Sequence, residues 1–250
     1  MINSMKTRIL LLLLGIAVGA YAGGFLSSET ITYYNQTSTM VSFSQAGTEM
    51  SEATAFIPAV DQEGKGVTTL LSVQIVPGTR KALVDIEKLL FWTDTQNSIR
   101  VSRSVAENVT GEDLSYYDIT YSISANASVI EGPSAGAAMT IATISALLRE
   151  RIDRTVMITG TINHDGTIGP VGEILAKAVA AKERGAETFL VPPGQSEQTV
   201  YENVERCQGT GMSRVCTIQR VPEKVSVSER AGIDVIEVRD IGEAMPYFFK

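Results

Sequence analysis

The chain has 250 residues, 44% hydrophobic and 20% charged, which is enough for one sizeable core and excludes collagen-like, coiled-coil and wholly disordered architectures. Its 21 basic and 28 acidic residues leave a formal charge of −7, so there is no field that would gather nucleic acid non-specifically. A single histidine, His164, and two cysteines, Cys207 and Cys216, cannot build a zinc site of the usual kind, so neither a metal nor a nucleic-acid partner is expected.

In chain order, Lys6 and Arg8 precede an uncharged stretch from Ile9 to Leu26 that contains the leucine run Leu10 to Leu14. Residues 1–26 therefore read as an export segment. Ala20-Tyr21-Ala22 has the small-x-small form of a signal-peptidase site, and the uncharged stretch is also just long enough to span a bilayer. A cleaved signal peptide and an uncleaved signal anchor both stand. In either case the flanking positive charges hold the N-terminus in the cytoplasm and send the rest outside, so an extracytoplasmic protein, secreted or membrane-anchored, is expected. Three N-glycosylation sequons, at Asn35, Asn108 and Asn126, add little, because such tripeptides are common.

Residues 27–52, rich in Ser, Thr, Gln and Glu without a period, read as a linker, and the folded domain is expected over 53–250. Ala53 to Val60 and Thr68 to Val76 flank a polar Gly-containing turn and predict a hairpin, and Ala82 to Ile86 predicts a further strand. Asp94 to Val109 has apolar or small residues at helical spacing, whereas Tyr117 to Ile123 alternates as a half-buried strand does. A helix over Ser134 to Leu148 and a strand over Thr155 to Ile162 follow, then a tight turn at Asp165-Gly166. The next helix runs from Gly172 to Arg184 and stops at Gly185. Phe189 to Val191 forms a buried strand closed by Pro192-Pro193, and Asp234 to Val238 and Asp240 to Phe249 supply the last strand and helix. Residues 194–230 read as an elaboration before that last pair. Cys207 and Cys216, close together within it, are either a disulfide of an oxidising compartment or two unpaired thiols. The alternation of strands and helices predicts a single α/β (α+β) domain.

Gly132-Pro133-Ser134-Ala135-Gly136 places a hydroxyl at a helix start, where backbone amides and the helix dipole stabilise an oxyanion. Serine is also a common helix cap, which is the plainer reading of the same residues. The match to Gly-x-Ser-x-Gly of α/β-hydrolases fails. That fold needs a later Asp and then a His, and the single His lies in the turn Asn163-His164-Asp165-Gly166 as a solvated residue. A serine nucleophile would need another base. Lys177 is the candidate, because its helical neighbours Ile174, Ala178, Ala180 and Ala181 are apolar, and burial lowers a lysine's pKa. The alternative is a lysine that snorkels to water past small alanines.

Glu131-Gly132-Pro133-Ser134-Ala135-Gly136, then Thr159-Gly160, Gly169-Pro170-Val171-Gly172, Lys177-Ala178-Val179-Ala180-Ala181 and Leu190-Val191-Pro192 together resemble the proteolytic domain of Lon proteases. The resemblance covers about 53–193 with the final strand and helix. It implies that Ser134 and Lys177 form a catalytic Ser-Lys dyad and that Thr159 orients the lysine amine. It also implies that the backbone around Gly132, Pro133, Ser134 and Ala135 holds the oxyanion and shapes the approach. Glu131 stands where many relatives carry an Asp, and Thr161 replaces the acidic residue common after Thr-Gly. No cofactor is implied. The sequence lacks a Gly-x-x-x-x-Gly-Lys-Ser/Thr phosphate loop, so the resemblance is to the proteolytic domain without an ATPase module. The expectation is thus an ATP-independent, Lon-like serine endopeptidase acting on unfolded or flexible polypeptides, with a ring-shaped homo-oligomer, commonly a hexamer, implied by resemblance. The alternative is a non-catalytic or latent Lon-like scaffold at the membrane surface.

Overall fold

The computed structural model describes residues 50–85, 93–124, 132–208 and 215–249. The export segment, nearly all of the linker, and Glu131 lie outside the described residues. Among those described, no helix is long and apolar enough to cross a membrane.

The first sheet begins with β1 (Ser51–Val60), two residues earlier than the expected domain start, and β2 (Gly66–Pro77). These pair antiparallel through the turn closed by Asp61, whose Oδ1 accepts the amides of Glu63 and Lys65. β4 (Tyr117–Ser124) pairs antiparallel with β2, and the edge strand β3 (Ala82–Asp85) runs parallel to β4, giving the order β1-β2-β4-β3. Alternation in β4 buries Ile119, Tyr121 and Ile123 on one face. The phenol of Tyr121, fully buried, hydrogen-bonds Thr143 Oγ1 at 2.9 Å, and burial pushes its pKa up to about 12.

One helix packs on β1 and β2 of that sheet, and a second packs against the first helix. α1 (Thr93–Thr110) buries Ser98, Val101, Ser102 and Val105, as the spacing predicts, together with Ile99 and Ala106, whereas Val109, expected on the same side, is exposed. α2 (Gly136–Leu148) is buried without interruption from Gly136 to Ala146, which its small and aliphatic side chains permit. Its hydroxyls are satisfied internally: Thr140 Oγ1 donates to the Gly136 carbonyl at 2.9 Å and Thr143 Oγ1 to the Met139 carbonyl at 2.7 Å.

A second sheet is all parallel, in the order β11 (Asp234–Glu237), β8 (Thr188–Val191), β5 (Val156–Ile158). β5 and β8 are short buried apolar runs, as strands of parallel sheets are, whereas the edge strand β11 carries Asp234 and Glu237 in solvent. The expected strand over Thr155 to Ile162 is interrupted. β5 stops at Ile158, and Thr161–Ile162 forms β6, which pairs with β7 (Ile168–Gly169) through the turn that holds exposed His164. Thr159 still donates its amide to the Leu190 carbonyl at 3.1 Å, and the ladder ends after it because the Gly160 amide turns to the Ser134 carbonyl.

α3 (Ile174–Glu183) packs Ile174, Ala178 and Ala181 into a second cluster with Met157 of β5 and Phe189 and Val191 of β8. It starts two residues later than expected, because Glu173 takes a left-handed conformation, φ 57° and ψ 39°. α3 also rests on β2. A Cβ at Gly66 would collide with the Ala176 backbone carbonyl, which cannot give way without moving the helix. Gly66→Ala is therefore expected to destabilise the protein by about 2 kcal/mol or more, read from urea unfolding midpoints.

Residues 194–230 are a two-stranded antiparallel ribbon, β9 (Glu197–Gln208) and β10 (Val215–Ser226), followed by α4 (Val227–Ala231). Beyond its root the ribbon is exposed on both faces, with Tyr201 and Ile218 prominent in solvent. Cys207 and Cys216 are register partners near its far end and are joined as a disulfide. α5 (Ile241–Phe248), capped by Asp240 on the Glu243 amide, closes the fold with Ile241, Ala244 and Phe248 buried.

Candidate active site

Pro133–Ala135 forms one 3-10 turn that leads into α2, instead of an α-helix beginning at Ser134. Gly132 enters it extended, Pro133 occupies the first position, where its missing N–H costs nothing, and the Gly136 amide donates to the Pro133 carbonyl. Pro133 is exposed, while Gly132, Ser134 and Ala135 are half-buried. The serine does not act as a cap. α2 has Ala135 at its N-cap with no side-chain bond, and Ser134 Oγ has no hydrogen-bond partner among the described residues.

What holds Ser134 is its carbonyl. The Gly160 amide donates to it at 3.0 Å and Thr159 Oγ1 at 3.3 Å, and the Gly160 carbonyl accepts the Ala137 amide at 3.1 Å. The strand break at Thr159-Gly160 is thus a two-way clasp on the serine turn. Gly160 has φ 154°, and a Cβ there would collide with Ile168, so only glycine fits. Gly136 is equally confined: a Cβ would lie 2.7 Å from Ile162 Cγ2 and 2.9 Å from the Ile162 amide nitrogen. The sequence reading gave Thr159 the task of orienting the lysine amine. In the structure its hydroxyl, fully buried, donates to the Ser134 carbonyl.

Lys177 lies in α3 with its amide bonded to the Glu173 carbonyl at 3.0 Å. It is 4% exposed, the only lysine buried among the described residues, and it does not snorkel to water. Desolvation lowers its pKa from the ordinary lysine value to about 8, while the Glu173 charge pulls the other way. No described carboxylate is ion-paired to it, and no hydrogen bond joins it to Ser134. Ser134 and Thr159 are therefore in direct contact through backbone. Lys177 stands on the helix packed over Met157, two residues before Thr159.

Two groups at this site escape the sequence. Glu173 occupies a left-handed position that no local sequence pattern signals. Gln198, from the root of β9, accepts the Leu175 amide at 2.9 Å, on the first turn of the lysine's own helix. Among the described residues, the one cluster of potential metal ligands, Glu205 with Cys207 and Cys216, contains the disulfide.

A buried, unpaired lysine and an uncapped serine, each on its own helix start in one α/β domain, agree with what comparison finds. Residues 92–223, more than half of the chain, match the family model of the Lon protease (S16) C-terminal proteolytic domain, and the chain belongs to that family. The match runs through β9 and most of β10. Lon protease 2 of Bacillus subtilis (strain 168) is 34% identical over 99 residues, which is 40% of this chain and 17% of that protein. Lon protease of Geobacter metallireducens is 31% identical over 159 residues, 63% of this chain and 18% of that protein. Archaeal Lon protease of Methanothermobacter thermautotrophicus is 32% identical over 109 residues, 41% of this chain and 17% of that protein. The chain thus spans less than a fifth of the length of these relatives.

Proposed function

We propose that this chain is a Lon-like serine endopeptidase that works outside the cytoplasm and independently of ATP. It hydrolyses flexible or unfolded polypeptides with Ser134 as nucleophile and Lys177 as base. The observation that carries the reading is Lys177: an amine buried on an apolar helix face and unpaired is costly to keep, and its lowered pKa suits proton transfer near neutrality. The uncapped Ser134 hydroxyl complements it.

In this reading neutral Lys177 takes the Ser134 Oγ proton as Oγ bonds to the peptide carbonyl carbon. The tetrahedral oxyanion sits against the backbone amides of the 132–135 turn, with Pro133 and Gly132 shaping the approach. The C–N bond then breaks, the leaving amine takes the proton back from Lys177, and water hydrolyses the acyl-serine with Lys177 again as base. Thr159 and Gly160 keep the serine turn fixed through its carbonyl. The positively flanked uncharged segment near the N-terminus supports an extracytoplasmic site of action, and the Cys207–Cys216 disulfide is suited to it. The absence of a phosphate-loop motif from these residues favours targets that need no prior unfolding. Ring assembly, and membrane attachment through residues 1–26 where that segment stays uncleaved, belong to the same reading.

A serine-directed fluorophosphonate should form an adduct that mass spectrometry places on Ser134, and Lys177→Ala should suppress it. Active protein that carries the adduct on another serine would overturn the assignment. Protein that neither cleaves casein nor takes the adduct would point to the scaffold alternative.

A further inference from the structure

The N-terminus of α3 has no cap of its own. Glu173 stands at the N-cap in a left-handed conformation with no side-chain bond to the first helical amides, so those donors need acceptors from elsewhere. One such acceptor comes from the root of the ribbon. Gln198 Oε1 accepts the Leu175 amide at 2.9 Å. Three residues earlier, the Gln195 side-chain amide closes a reciprocal pair on Val171, with Oε1 accepting the Val171 amide at 3.0 Å and Nε2 donating to the Val171 carbonyl at 2.7 Å. Both glutamines are half-buried. Together they hold the segment that leads into α3 on either side of strained Glu173.

The root that carries these glutamines is itself anchored. Ser196 donates its amide to Glu237 Oε1 on β11 at 2.9 Å, and its carbonyl accepts the Val227 amide at 2.9 Å. Glu237 is held below the usual carboxylate range by the Ser196 hydroxyl and by the amides of Gly194, Ser196 and Gln195. Val227, fully buried, packs in the cluster that contains Ile174 and Ala178. The β11 edge thus reaches the lysine's helix through Gln198 and the segment before that helix through Gln195. Lys177 lies two residues beyond Leu175 and shares the first turns of the helix.

We propose that Gln198, with Gln195, is a positioning residue for Lys177, so that the root of the β9–β10 ribbon sets where the buried amine sits. This rests on the peptidase reading, and it assigns the ribbon's root a task in that same site. Gln198→Ala leaves the Leu175 amide without its acceptor and lets the first turn of α3 shift or fray. A displacement of an ångström in a reacting group is enough to lower turnover by one to two orders of magnitude. Gln198→Glu keeps an acceptor oxygen in the same place.

Two readouts on the full chain test this. The first is peptide cleavage: Gln198→Ala should lower kcat about tenfold with KM changed less than twofold, and Gln198→Glu should recover most of the loss. The second does not require peptidase activity. Lys177 is labelled with an amine-directed reagent across pH and quantified by mass spectrometry. The wild-type midpoint near 8 should move upward in Gln198→Ala, because a loosened helix lets water reach the amine. Glu173, the one charged group acting on Lys177 among the described residues, is unchanged in both variants. Wild-type kcat in Gln198→Ala, equal losses in the Ala and Glu variants, or a lowered kcat with an unmoved labelling midpoint would each overturn the proposal. Should the wild type fail to cleave peptides, the peptidase reading falls and the labelling midpoint alone decides the clamp.

Discussion

Ser134→Ala and Lys177→Ala are each expected to reduce cleavage of an unfolded protein such as casein by on the order of 10⁴-fold or more, with the folded state retained. The effect is large because, in the proposed mechanism, the two groups act as one unit. Without the hydroxyl there is no acyl-enzyme, and without the amine nothing takes the hydroxyl proton. The double variant should therefore be no worse than either single one, a non-additivity that a pair of independent binding residues would not give. Activity should rise as pH passes through about 8, since Lys177 must be neutral to act as base. Initial rates on a fluorogenic peptide across pH, beside circular dichroism of each variant, measure all of this. Retained cleavage in both single variants would refute the dyad.

The second large effect concerns stability. Lys177 has a lower pKa folded, about 8, than its ordinary 10.5, so between those values the unfolded chain binds more protons than the native one. Stability therefore rises with pH through that window. Below pH 8 the native state bears the full penalty of a buried charge, and above 10.5 both states are neutral and no difference remains. The shift corresponds to about 3 kcal/mol. Lys177→Met, which fills a similar volume without the charge, should be more stable than wild type at pH 7 by up to that amount and should lose this rise with pH. Urea unfolding at pH 7, 8.5 and 10 decides it. Equal pH dependence in the two proteins would mean that the amine is not buried in its charged form.

The parts of the fold that could be read from sequence are those whose cause is local. α1 and β4 have their apolar residues at helical and alternating spacing, and their bounds fall within a residue of expectation. Lys177 stood out for the same reason, a cation among Ile174, Ala178 and Ala181. The break at Thr159-Gly160 could not be read, because its cause is hydrogen bonding to Ser134, 25 residues upstream. Nor could the left-handed Glu173, which tertiary contacts hold against local preference. The strands β9 and β10 were hidden for another reason. With water on both sides, neither has an apolar face to impose a period of two, and opposed Cys207 and Cys216 were the sole hint of their pairing. Gln195 and Gln198 carry no signal at all until the backbone places them beside Val171 and Leu175.

That ribbon also divides the molecule kinetically. Its outer amides bond across a single ladder with no core on either side, so they should exchange with solvent through brief local openings, while those of β5 and β8 wait for global unfolding. The disulfide keeps the two outer strands from parting, so opening proceeds as a hinge about the root and not as unzipping from the tip. A chain made this way tolerates tags, trimming or altered length in the arm, provided the residues from Gln195 to Gln198 stay in place.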